Sequence, residues 1–94
     1  MKVAWTTPTP DDLDEIRAWV AREDTGVARV VAARILDAVD VLESQPNLGR
    51  PGRVQGTREF AAPKTPFVIF DRVTSDAVEI LRVLRGSRNV LPEV

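Results

Sequence analysis

The chain has 94 residues, 44% of them hydrophobic and 29% charged, with a formal net charge of −1; that is one domain's worth of sequence and excludes both wholesale disorder and an apolar membrane protein. Cysteine, histidine and tyrosine are all absent, which removes disulfides, thiol chemistry, imidazole or thiolate metal sites and the usual acid/base group near neutral pH. The small net charge hides a split: residues 1–45 carry nine Asp/Glu against five Lys/Arg, whereas residues 46–94 carry five against eight, seven of them arginine.

Val3-Ala4-Trp5 reads as a short strand, ended by Thr6-Thr7-Pro8-Thr9-Pro10. Thr9 is the expected N-cap of a first helix, with Pro10 at its first position and Asp11 and Asp12 at the positive end of the dipole. Leu13, Ile16 and Val20 recur at helical spacing with Trp19 beside them, so a helix from about 10 to 22 should bury one face. After Asp24-Thr25-Gly26, the positions Val27, Val31, Ile35, Ala38 and Leu42 keep the same period up to Ser44 and predict the longest element. Two helices joined by so short a turn form an antiparallel hairpin, whose shared apolar surface needs a cover.

Pro46-Asn47-Leu48-Gly49-Arg50-Pro51-Gly52 stops that helix and opens a loop. Gly49-Arg50-Pro51-Gly52 lacks the spacing of a phosphate-binding loop and follows a helix instead of a strand, so it reads as a turn. The period then changes to two. Residues Thr57 to Ala62, Phe67 to Val73 and Ala77 to Arg85 predict three strands separated by hairpin-sized turns, the last two apolar on both faces. Strict alternation sets Arg82 on the same side of its strand as Val78, Ile80 and Leu84. The expected fold is one α+β domain over residues 1–94, in the order β-α-α-β-β-β, with the helical hairpin packed on a small, mainly antiparallel sheet. No apolar run reaches the roughly 20 residues that a bilayer needs, and the N-terminus lacks a signal-peptide layout; a cytoplasmic protein with no membrane partner is expected.

Four stretches in this second half form an ordered series: Leu48-Gly49-Arg50-Pro51, then Gly56-Thr57-Arg58-Glu59-Phe60, then Pro66 to Val73, then Val78 to Arg88. Together with the helices and N-terminal strand before it, the series resembles the toxins of the RelE/ParE superfamily, on the ParE side, over nearly the whole chain. The resemblance implies the toxin of a type II toxin-antitoxin module, often tied to plasmid stabilisation. It implies a cognate antitoxin of the ParD type that wraps the toxin and alone contacts operator DNA, a higher-order toxin-antitoxin oligomer, DNA gyrase as target, and no cofactor or metal. Members of the superfamily often have tyrosine where Asp71 stands and histidine where Arg85 stands.

The other branch of the superfamily cleaves mRNA on the ribosome, which needs a base near the 2′-oxygen, an acid for the leaving oxygen and positive charge on the phosphate. Arginine supplies only the last. The bases available are Glu59, Asp71, Glu79 and Lys64, and the C-terminal residues 89–94 add no Lys, Arg, His or Tyr. No catalytic residue is assigned. Glu59 reads either as a base or as a strand carboxylate paired with a neighbouring arginine. Arg58, Arg72, Arg82, Arg85 and Arg88 are the candidate partner-binding residues, suited to forked contacts with anions. Trp19 is either core or an anchor for the antitoxin, as is Trp5. Three readings stay open: a gyrase-binding toxin, a ribosome-dependent mRNA interferase, and a nontoxic interaction or nucleic-acid-binding domain.

Overall fold

The computed structural model describes residues 1–6, 14, 18, 22 and 25–85. The elements are β1 (Lys2–Trp5), α1 (Thr25–Ser44), β2 (Arg50–Pro51), β3 (Arg58–Ala61), β4 (Phe67–Val73) and β5 (Ala77–Arg85). The five strands form one sheet in the order β1-β5-β4-β3-β2. β1 runs parallel to β5 and every other pairing is antiparallel. Of the first predicted helix, Asp14, Ala18 and Arg22 are helical and exposed; its cap at Thr9 and its apolar positions Leu13, Ile16, Trp19 and Val20 lie outside the described residues, as does Arg88.

Burial holds α1 in place, since its first turn has no acidic residue and its last turn no basic one. Ile35 and Leu42, two turns apart, are completely buried, with Val31, Ala38 and Val39 beside them. They meet Phe67 and Ile69 of β4 and Val78, Ile80 and Val83 of β5 in a single core, onto which Val3, Phe60 and Val73 pack. At the C-terminal end Gln45 N–H donates to Val41 C=O at 2.8 Å, and Pro46 prevents a further turn.

Two features differ from the sequence expectation. The stretch read as a turn contains a two-residue edge strand: Arg50 stands opposite Glu59 and Pro51 opposite Arg58, with Gly52 N–H bound to Thr57 C=O at 2.7 Å. A proline is tolerated there because the outer side of an edge strand needs no ladder donor. Secondly, β5 is bulged. Phe70 pairs with Arg82 and the next residue, Asp71, pairs with Ile80, leaving Leu81 without a partner. The inward set therefore changes from Val78 and Ile80 to Val83, and Arg82 lies on the face opposite Ile80, unlike the strict alternation. Thr6 braces the bulge from β1's end, its Oγ1 lying 2.8 Å from Ile80 O and 3.1 Å from Leu81 O.

Candidate functional site

Register and burial sort the side chains onto two faces. Phe60, Ile69, Val78 and Val83 face α1. By alternation and pairing, Arg50, Glu59, Ala61, Val68, Phe70, Arg72, Glu79, Arg82 and Leu84 share the other face. Phe70 is fully buried but stands outside the main core, flanked across the strands by Glu59 and Arg82.

Most of the charge on that second face is paired. Glu59 is only 8% exposed; its Oε1 accepts from Arg50 Nη2 at 3.2 Å and its Oε2 from the Arg53 backbone N–H at 3.3 Å. Arg50 itself remains 74% exposed. Further along, Arg72 Nε and Nη2 both donate to Glu79 Oε1, at 2.9 and 2.7 Å. Glu59 thus has the strand-carboxylate pairing considered above, with Arg50 as the partner.

The candidate arginines are not one cluster. Arg72 and Arg82 share the second face, Arg82 half-buried. Arg85 is exposed at the end of β5, opposite Phe67. Arg58 is on the α1 side, where its Nη1 donates to Gly49 O at 2.9 Å and Asn47 O at 3.4 Å, so it ties the loop after α1 to β3. Across the strand from it stands Asp71, completely buried, with no hydrogen-bond partner at either Oδ1 or Oδ2. Burial pushes the Asp71 carboxyl up to about 6, against the opposing pull of the Arg58 guanidinium. Trp5, at the sheet edge, is 40% exposed.

The glycines of the motif have local reasons. A Cβ on Gly49 would sit 3.0 Å from Glu59 O, and one on Gly52 would overlap Thr57 Oγ1. Arg50 and Leu48 were missed as site residues because the stretch reads as a turn. The signal that could have found them is the position of Arg50 nine residues before Glu59, the spacing of a tight antiparallel return. Among the described residues no group of three or more Asp/Glu is arranged to hold a metal ion.

A small mixed sheet with one face packed on a helix and the other carrying paired arginines makes this an α+β domain. The family model for the ParE toxin of the type II toxin-antitoxin system parDE matches residues 3–90. The protein Y4kP of Sinorhizobium fredii (strain NBRC 101917 / NGR234), named as a toxin, is 42% identical over 85 residues, covering 90% of this chain and 88% of that one. A solved structure described as the chromosomal ParDE TA system from P. aeruginosa superposes with a TM-score of 0.81 at 29% identity, covering 93% of this chain and 97% of that chain. The chain belongs to the ParE toxin family of type II toxin-antitoxin systems.

Proposed function

We propose that this ParE-type toxin acts by binding, with DNA gyrase as its target, and that a ParD-like antitoxin holds it inactive. The observation that carries the first part is the state of the strand carboxylates. Glu59 is bound by Arg50 and the Arg53 N–H, Glu79 is bound by Arg72, and Asp71 is buried away from solvent. Each would have to leave its place before it could take a proton from a 2′-hydroxyl, whereas an arginine-bearing surface suits recognition of an anionic partner.

For neutralisation, Val27, Val30 and Val41 of α1 are exposed and fall within a sector of about 60° beside the buried stripe. They offer apolar surface to a wrapping chain, and Arg72, Arg82 and Arg85 offer charge to its carboxylates. Arg88 and Trp19 complete the proposed contact set. Operator DNA is reached through the antitoxin, in an oligomer of the two chains, and the site of action is the cytoplasm.

The test is to mix purified toxin with gyrase and supercoiled plasmid. Inhibited supercoiling or accumulated cleavage complexes is the expected result. An unaffected gyrase, with ribosome-bound transcripts cut by the same preparation, would transfer the assignment to the nuclease branch.

A further inference from the structure

A groove of about 580 Å³ runs along the sheet edge between the loop after α1 and the β3–β4 hairpin. Leu48, Gly49 and Arg50 form one wall, and Glu59, Ala61 and Val68 line the sheet side. Of the residues that line it, Phe60 and Phe67 also pack with the α1 core, and the others have no part in that packing.

Three properties of the groove point to one kind of occupant. The first is an unfinished ladder. Ala62 N–H binds Phe67 C=O, so alternation turns the backbone groups of Ala61, one residue earlier, away from β4 and toward β2's side. β2 begins at Arg50, opposite Glu59, so among the described residues no strand residue stands opposite Ala61 there, and its N–H and C=O present an edge to a peptide backbone. The second is Leu48, which is exposed at the rim although it is large and aliphatic; with Ala61 and Val68 it makes an apolar seat. The third is charge. Both oxygens of Glu59 are engaged and the residue is nearly buried, so the charge that an incoming group meets is that of Arg50, which uses one nitrogen on Glu59 and keeps its other donors.

We infer that this groove takes an extended segment of a partner protein, which bridges to the Ala61 edge, seats one aliphatic side chain between Leu48 and Val68, and sets a carboxylate on Arg50. The inference rests on the toxin-antitoxin reading for the partner's identity, the antitoxin, but not for the groove's chemistry. A nucleotide would find one cation here, and the two phenylalanines of the lining, Phe60 and Phe67, are engaged in the packing against α1; a basic peptide would meet Arg50 before it met Glu59.

The probes are acetyl-Leu-Asp-N-methylamide, acetyl-Leu-Lys-N-methylamide and uridine 5′-monophosphate, titrated into the full chain with the methyl resonances of Leu48, Ala61 and Val68 followed by NMR. The aspartyl peptide should give saturable shifts at these methyls, with an affinity about fivefold or more above that of the lysyl peptide. Arg50→Gln should erase that preference. Leu48→Ala, at an exposed position where the fold tolerates truncation, should weaken both peptides while keeping the preference. Absence of saturation, equal or tighter binding of the lysyl peptide, or larger shifts with the nucleotide would overturn the inference. Growth arrest on expression reports separately on the toxin reading: a chain that arrests growth and ignores the aspartyl peptide loses the groove alone, and one that binds the peptide without arresting growth keeps the groove and loses the toxin.

Discussion

Arg58 and Asp71 stand directly opposite each other on β3 and β4, yet the guanidinium donates to the carbonyls of Asn47 and Gly49 and leaves the carboxyl without a hydrogen bond. Two opposite charges in register would ordinarily pair. Here the arginine satisfies carbonyls of the loop after α1, and the carboxyl is carried by its raised proton affinity instead.

Asp71 should make stability fall with rising pH. Its folded-state value of about 6 lies above the ordinary 3.8, so between these two values the folded chain binds more protons than the unfolded one. The contribution is fully present below about pH 3.8 and is lost as pH rises through about 6, by up to about 3 kcal/mol. Denaturant midpoints measured from pH 4 to 8 on the wild type and on Asp71→Asn should diverge, the variant being flatter in this window and more stable at pH 7.5. Parallel profiles would show that Asp71 ionises as it does in the unfolded chain.

Gly52→Ala should destabilise by about 1–3 kcal/mol, because the new Cβ overlaps Thr57 Oγ1, which is held by its bond to Val54 O at 2.6 Å. Combining it with Thr57→Ala should cost less than the two separate losses. A strictly additive cycle would place the strain elsewhere.

Lys64 sits at φ 60 in the β3–β4 turn. Replacing it by glycine should raise stability by about 0.5–1 kcal/mol, the relief of a left-handed non-glycine residue exceeding the extra freedom of the unfolded chain. Its carbonyl still accepts from Arg34 Nη1 at 3.1 Å, a bond that needs no side chain at 64. A lower melting temperature for Lys64→Gly would refute the account.

A double-mutant cycle on Arg72 and Glu79 should give a coupling of only about 0.5 kcal/mol that shrinks in 0.5 M salt, since both side chains are partly solvated. A coupling that persists in salt would mean that the pair is shielded from solvent.

The strands β4 and β5 were legible to the residue: Phe67 to Val73 and Ala77 to Arg85 are apolar runs closed off by turn residues, and both boundaries agree with the structure. α1 was legible through its 3.6-residue period. β2 was not, because two residues, one of them proline, carry no period at all. Neither was the bulge. A strand that is apolar on both sides gives no signal when its frame slips by one, so Arg82 was set on the side of Ile80, and only the pairing of Phe70 with Arg82 corrects it. At the site, Glu59 was legible as a paired carboxylate, whereas Asp71 was not legible as an orphan. Its solitude depends on where Arg58 reaches, and that is fixed by a loop ten residues away in sequence.

The slip at Leu81 also sets a rule for recombining this chain with its relatives. Upstream of it, the even-numbered Val78 and Ile80 belong to the interior; downstream, the odd-numbered Val83 does. A chimera joined within β5 to a relative lacking the extra residue would exchange interior for exterior along the grafted half, however similar the two sequences look. The safe crossover lies in the β4–β5 turn at residues 74–76, where both frames begin together.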